Sequence, residues 1–317
     1  MYIMDDELKL QDWEFSQRKY LPYEVKLCLT ARRILDWNEY YGGNVYVSFS
    51  GGLDSTVLRH MVEKVLEKKV PNVFVDTGLE FPEIRHFVYS FDVEVLYPEC
   101  NIRDVILDRG YPLVSKEVAS KIRKLQRGNL SDRYRNYLLH GDERGKLGKI
   151  SECWKFLINA PFGVSEECCM IMKERPFVEY ARRTKRVPFI GITQDEGFMR
   201  QRQYNRTGCN VYNAKQPKSQ PLGFWTRQDI LRYIVENRLR YCSVYGDIVN
   251  INGVYHTTGE QRTGCMYCPM GCHLEPTPNR YHRLQERDGK TYRYIMKPIS
   301  AGGLGFDYVL NYCNFAH

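Results

Sequence analysis

The chain has 317 residues, a formal net charge of +8 from 46 basic and 38 acidic side chains, 43% hydrophobic residues and eleven cysteines. That composition excludes disordered, collagen-like and fibrous chains and leaves room for one large domain or two. No apolar run approaches the roughly 18 residues of a membrane span, and the acidic start lacks the apolar core of a signal peptide, so a cytoplasmic protein without membrane contact is expected.

In chain order, residues 23–40 carry helical spacing through Val25, Leu27, Cys28, Ala31, Ile34 and Leu35, and Gly42-Gly43 ends the helix. A β-rich run, Asn44–Phe49, leads into the glycine-rich turn Ser50–Ser55, and a helix is predicted from about Thr56 to Lys68. Pro71–Val75 and Val93–Tyr97 read as strands. Between them Pro82 suits the first turn of a helix, and residues 101–109 form the next helix. Val187–Ile192 continues the strands, and Thr226–Asn237 is an amphipathic helix capped by Thr226, with Ile230, Leu231, Ile234 and Val235 inward. Strands alternating with helices predict an α/β fold: an open, mostly parallel sheet with helices on both faces. Residues 1–40 are expected as a helical extension, 41–240 as the α/β domain, and 241–317 as a loop-dominated, cysteine-rich region.

Residues 116–149 hold ten basic against four acidic side chains, so +6 of the net charge sits in one segment. With Tyr134 and Tyr137 among the cations, this segment is expected to track a nucleic-acid backbone, or else to be a solvated insertion.

The turn Ser50-Gly-Gly-Leu-Asp-Ser55 stands between a strand and a helix. Two glycines let the backbone approach an anion, the helix start offers N–H groups, and Ser48, Ser50, Ser55 and Thr56 add hydroxyls. The lysine of a Walker loop and the spacing of a dinucleotide fingerprint are both missing. Ser50–Ser55 resembles the PP-loop of the ATP pyrophosphatase superfamily, and Val75-Asp-Thr-Gly-Leu-Glu-Phe-Pro-Glu83 is similar to a segment of its phosphoadenylyl- and adenylyl-sulfate reductase branch. Gly191–Glu196 with Arg200 and Arg202, and Pro221–Ile230, extend the resemblance over roughly residues 40–272. The resemblance implies an adenine nucleotide alpha hydrolase-like fold. It also implies that Ser50, Gly51, Gly52, Asp54, Ser55 and Thr56 hold ATP or an adenylyl-sulfate-type nucleotide, with Asp54 positioning the loop or a magnesium ion. Asp76 would lie in the crevice at the strand ends, and Arg200 and Arg202 would grip a second anionic group.

Cysteines in a reducing compartment point to metal, cluster or catalysis where they are clustered and to small buried hydrophobes where they are scattered. The second description is expected for Cys28, Cys100, Cys153 and Cys242. Cys168-Cys169 and Cys265-x-x-Cys268 form two tight pairs, with Cys272 and His273 just beyond. The arrangement resembles the [4Fe–4S] ligand pattern of assimilatory adenylyl-sulfate reductases, which implies Cys168, Cys169, Cys265 and Cys268 as ligands. Zinc and plain reduced thiols are the alternatives, and Cys272 is a spare, an alternative ligand or a reactive thiol. The reductases' C-terminal Glu-Cys-Gly-Leu-His tail is absent; Cys272 and Cys313 are the nucleophile candidates here, with Cys313 placed on a mobile tail.

The expected function is therefore nucleotide-dependent sulfur chemistry: cleavage of ATP between its α- and β-phosphates and sulfur transfer to an acceptor such as nucleic acid, fed by a sulfur donor. Reduction of a sulfonucleotide to sulfite with thioredoxin-like electrons is one alternative. A cluster-bearing sensor or nucleic-acid-binding module without catalysis is the other.

Overall fold

The computed structural model describes residues 11–193 and 204–317. The chain forms two compact units, each assembled from several stretches: Met1–Asp76, Glu80–Leu96 and Phe177–Thr263 in one, Thr77–Leu79, Tyr97–Pro176 and Gly264–His317 in the other.

The first unit carries the sheet. Its strands are β1 (Val45–Ser48), β2 (Asn72–Val75), β3 (Glu94–Leu96), β4 (Val187–Ile190), β5 (Asn210–Val211) and β6 (Lys218–Ser219). They lie in the order β3-β2-β1-β4-β6-β5. All pairings are parallel except β5 against β6. Both neighbours of β1 are parallel to it: Ser48 stands opposite Val73 on one side and Ile190 on the other. The chain leaves β1 toward β2 and returns only later to β4, so the end of β1 is the topological switch point where open α/β sheets take ligands.

The strands read as apolar runs because both faces are covered. Val45, Val47, Phe49, Val73 and Phe189 are buried. The helix Leu53–Leu66 covers the sheet with Leu53, Val57, Leu58, Met61 and Val62. Tyr180 closes edge-on against Tyr46 at 5.0 Å between ring centroids.

Residues 11–40 are not an extension. The helix Tyr23–Tyr40 has the predicted length but another inner face: Tyr23, Lys26, Thr30, Ile34 and Trp37 are buried, while Val25, Cys28 and Leu35 are exposed. Polar partners explain the inward polar residues. Lys26 Nζ pairs with Asp229 at 2.6 Å, and Thr30 accepts from Trp225 Nε1 at 2.8 Å. The helix Arg227–Glu236 starts at Thr226 in a capping box with Asp229, and it buries Tyr233 in place of the expected Val235, which is exposed. Residues 248–257, read as part of a loop-rich region, form the hairpin β7 (Ile248–Ile251) and β8 (Val254–Thr257). Asn252 and Gly253 at its tip both have positive φ, 52° and 84°, which is a turn that asparagine–glycine favours.

The second unit is helical. Lys116–Arg127 and Asp132–His140 make two helices of the basic segment, each started by a serine cap, Ser115 and Ser131. The last helix is Phe306–Tyr312. The units do not divide at the boundaries expected at 40 and 240. The basic segment belongs with the cysteines, and the hairpin belongs with the sheet. No helix of the described residues is long and apolar enough to cross a membrane.

Candidate functional site

The turn after β1 is built around its two glycines. Gly51 has φ +73°, and a Cβ there would lie 2.6 Å from Val88 Cγ2 and 3.1 Å from Ile84 Cγ2. Gly52 is the N-cap of Leu53–Leu66, and no side chain of its own caps the helix. The first N–H groups of that helix, with the positive end of its dipole, face the turn and can seat an anion.

Serine and threonine hydroxyls hold the turn in shape. Ser55 Oγ and Thr56 Oγ1 donate to the Gly52 carbonyl at 3.0 and 2.9 Å, and Ser50 Oγ donates to Ser55 Oγ at 3.1 Å. Ser55 and Thr56 are buried, so both brace the loop from behind. Ser48 is half-buried at the end of β1. Asp54 lies in the first turn of the helix and accepts from Thr193 Oγ1 at 3.5 Å. Thr193 follows Gly191, whose missing side chain lets the end of β4 close on the helix. A Cβ on Gly191 would lie 2.8 Å from the Ser55 backbone nitrogen.

Asp76 is buried at the end of β2. It accepts from Arg85 through Nε at 3.1 Å and Nη2 at 2.8 Å, and from the Tyr89 hydroxyl. The pair raises the Arg85 pKa through that hydrogen bond. Asp76 thus fixes the helix Pro82–Tyr89, which carries the Ile84 and Val88 that press on Gly51, and acts on the loop from a distance of one helix. Arg200 and Arg202 lie outside the described residues.

Two residues of this site were not anticipated. A Cβ on Gly52 would lie 3.4 Å from the Tyr245 hydroxyl and 3.7 Å from Thr263 Oγ1. Tyr245 and Thr263 hydrogen-bond to each other. Burial pushes the Tyr245 phenol up to about 12, opposed by the Thr263 bond and a backbone bond from Leu53, so it stays a neutral hydroxyl over the turn. Neither residue has a local sequence signal; only the return of the chain brings them there.

The cysteines gather in the helical unit. Cys168 is buried, and Cys169 precedes a π-helical turn, Met170–Glu174, a widening that is common at functional sites. The hydrogen bond from the Cys168 thiol, aided by Lys116 and Lys173 and opposed by burial, holds the Cys169 thiol below its ordinary value. The same bond pushes Cys168 up, with burial and the charges of Cys169, Cys268 and Cys265 acting in the same direction. Cys168 therefore stands within electrostatic reach of the other three predicted ligands.

The backbone of the second pair is anchored. Cys268 N–H donates to the Cys265 carbonyl at 3.2 Å, Met266 N–H to Leu79 at 2.8 Å, and Gly271 N–H to Val114 at 2.9 Å. Arg280 grips the Cys268 carbonyl through Nη1. It also makes two bonds to Glu275 Oε1, from Nε at 3.0 Å and Nη2 at 2.6 Å. On the other pair, Arg123 binds Glu166 at 2.9 and 2.6 Å and Arg127 binds Glu167 at 2.9 Å, directly before Cys168-Cys169.

Among the described residues no group of three or more His, Cys, Asp or Glu side chains is arranged to hold a metal ion. Four cysteine thiolates are the donor set that an iron–sulfur cluster takes. Thiolates so placed repel one another, and nearby cations act against that repulsion: Lys116 and Lys173 on Cys169, Arg280 and Lys173 on Cys268.

Cys272 is buried, and burial pushes its thiol up to about 12. Cys313 ends the last helix, also buried, with burial pushing its thiol up to about 11. Burial disfavours the thiolate at both positions, and Cys313 caps a helix and does not lie on a free tail. Of the four cysteines expected as small buried hydrophobes, Cys242 is buried, Cys28 and Cys153 are exposed and Cys100 is half-buried; Cys209 is a further buried one.

Residues 44–108 and 131–273 match the model of the phosphoadenosine phosphosulfate reductase domain. An uncharacterized protein of Methanocaldococcus jannaschii is 25% identical over 225 residues, 71% of this chain and 36% of that protein, so the chain spans about a third of that relative's length. An adenosine 5'-phosphosulfate reductase of Oceanobacillus iheyensis is 26% identical over 75% of this chain and 77% of its own. One of Lysinibacillus sphaericus is 25% identical over 75% and 79%. Among solved structures, a phosphoadenylyl-sulfate reductase from Candida auris in a phosphate complex aligns with a TM-score of 0.38 and 15% identity, covering 78% of this chain and 99% of that one.

Proposed function

This chain belongs to the phosphoadenosine phosphosulfate reductase domain family, and from that premise we propose that it binds an adenine nucleotide on the turn Ser50–Ser55 and uses it for sulfur chemistry supported by a [4Fe–4S] cluster on Cys168, Cys169, Cys265 and Cys268. The observation that carries this reading is the uncapped helix start behind Gly51 and Gly52 at the switch point of the sheet. The nucleotide is ATP. An acceptor oxygen attacks its α-phosphorus, the bond to the β-phosphate breaks, and pyrophosphate leaves. A sulfur nucleophile then displaces AMP from the activated acceptor. In that scheme the loop N–H groups hold the phosphates, and Asp54 orients the loop or a magnesium ion. A bound cluster would supply redox and sulfur-handling chemistry, while Lys116, Lys173 and Arg280 offset its charge.

The second reading is sulfonucleotide reduction to sulfite. The names of the Oceanobacillus and Lysinibacillus relatives support it, and the burial of Cys272 and Cys313 speaks against it.

Anaerobically purified protein is expected to carry iron and acid-labile sulfide in equal amounts, with a broad visible absorption that Cys168→Ser and Cys268→Ser each remove. It is expected to release pyrophosphate from ATP when an acceptor is present. Sulfite release from adenylyl sulfate without pyrophosphate release from ATP would replace the first reading by the second. Zinc in place of iron would remove the cluster from both.

A smaller effect is expected at the roof of the turn. Tyr245→Phe deletes one hydroxyl and leaves the ring, so nucleotide affinity measured by calorimetry should fall by about 2- to 10-fold, the range of one hydrogen bond. Unchanged affinity would remove Tyr245 from the site.

A further inference from the structure

The basic segment is not a uniform field of charge. Four of its cations are engaged within the unit: Lys116 with Glu174, Lys121 with Glu117, Arg123 with Glu166, and Arg127 with Glu167. Arg133, Arg135, Arg144, Lys146 and Lys149 are exposed and make no ion pair among the described residues. They share one stretch, the helix Asp132–His140 and the turn that follows.

That stretch also presents two aromatic rings. Tyr134 and Tyr137 are 37% and 38% exposed, their planes differ by 17°, and their centroids are 6.3 Å apart. Both rings are held in place. Lys124 Nζ donates to the Tyr134 hydroxyl at 3.1 Å and stands 5.5 Å from the ring centroid. Tyr137 lies on Gly148, where a Cβ would come within 2.0 Å of its ring and where φ is +86°. The turn beneath is fixed by Asp142 Oδ1, which accepts from Lys146 N–H at 2.8 Å and Leu147 N–H at 3.1 Å. It is closed by Ile150 N–H on the Leu138 carbonyl at 2.9 Å. Buried Leu138 and Ile150 root the stretch in the unit. Asp132 and Glu143 are its other acidic residues, and Asp132 lies in the first turn of its helix, where its charge meets the positive end of the dipole.

Nearly parallel, exposed tyrosines held rigid beside exposed cations that form no ion pair are what a single-stranded nucleic acid recognises: bases stack on the rings while phosphates meet the cations. A duplex keeps its bases stacked on one another and offers the rings nothing. We propose that Tyr134 and Tyr137, with Lys124, Arg133, Arg135 and the cations of the following turn, form a docking surface for single-stranded nucleic acid. The proposal goes beyond the nucleotide reading and does not depend on it, since every residue named lies in the helical unit.

The test is fluorescence anisotropy of a labelled oligothymidylate of about 20 nucleotides with the full chain, repeated with a duplex of equal length. The single strand is expected to bind more tightly than the duplex. Tyr134→Ala with Tyr137→Ala should weaken single-strand binding by about tenfold or more without changing its salt dependence, and Tyr134→Phe with Tyr137→Phe should restore it. Arg133→Ala with Arg135→Ala should flatten the slope of log affinity against log salt by about 1.4, at about 0.7 per phosphate contact. Equal binding of duplex and single strand, insensitivity to the tyrosine changes, or preferential binding to phosphatidylserine vesicles would each overturn the proposal. The phenylalanine pair guards against misfolding: if it too loses binding at an unchanged melting temperature, stacking is not the source. Pyrophosphate release from ATP, measured in parallel, fails or survives independently of these outcomes.

Discussion

Gly51→Ala is expected to weaken nucleotide binding severely. The new Cβ would be placed at φ +73°, a conformation that costs an L residue roughly 1–3 kcal/mol. It would also lie 2.6 Å from Val88 and 3.1 Å from Ile84 on the helix that Asp76 holds through Arg85. Overpacking of this kind costs about 1–3 kcal/mol more. The turn relieves both by moving, and its N–H groups then lose the alignment that seats a phosphate. Affinity for a non-hydrolysable ATP analogue should fall by at least ~30-fold, since each 1.4 kcal/mol is about tenfold. Gly128→Ala is the control. It shares the backbone strain, φ +72°, but has nothing within 4 Å of the new Cβ, so it should lower the melting temperature slightly and leave binding intact. Wild-type affinity in Gly51→Ala would show that the turn does not hold the phosphates.

Arg280→Ala is expected to have the second large effect, on the cysteine unit. It removes the donor to the Cys268 carbonyl and leaves the Glu275 carboxylate, about three-quarters shielded, without its bidentate partner. Breaking such a pair is costly because the remaining charge stays desolvated; about 2–3 kcal/mol is reasonable for a site partly open to water. The melting temperature should drop by roughly 5–10 °C, and iron retained after anaerobic dialysis should fall with it. Arg280→Lys should lie between the two, since one ammonium cannot reproduce the fork.

The pH dependence has a definite sign. Burial pulls the Glu275 pKa up, but the Arg280 bonds outweigh it and hold the carboxyl below its ordinary range. A depressed folded-state pKa contributes stability that is fully present above the unfolded value and is lost as pH falls through the folded one. The gap in melting temperature between wild type and Arg280→Ala should therefore be full at neutral pH and shrink as pH drops through and below the usual glutamate range. A gap that widened on acidification would reject this assignment.

What could be read from sequence was local. The turn Ser50–Ser55 was legible because its glycines and hydroxyls act on their own neighbours, and Pro82 and Thr226 start helices by the same short-range logic. The inner face of Tyr23–Tyr40 was misread because Lys26 and Thr30 are inward only by virtue of Asp229 and Trp225, some two hundred positions away. Apolar spacing alone favoured Val25 and Leu35, which the fold leaves outside. Tyr245 and Thr263 were invisible for the same reason. The hairpin β7–β8 did have a signal, Asn252-Gly253, inside a stretch dominated by cysteine and glycine. The basic segment was located correctly and interpreted too uniformly, because the glutamates that consume Arg123 and Arg127 come some forty residues later.

The interleaving of the two units has a consequence for biosynthesis. The sheet unit ends at Thr263, and the next stretch, Gly264–His317, completes the helical one. As the chain leaves the ribosome, every residue of the nucleotide turn and its sheet has been made before Cys265 and Cys268 appear. Since folding during synthesis proceeds from the N-terminal side, any inorganic group that needs both cysteine pairs is acquired last. A nascent chain stalled before residue 264 would contain the whole sheet and only the first thiol pair. The order of the sequence thus acts as an assembly schedule, with the sheet first and the second cysteine pair last.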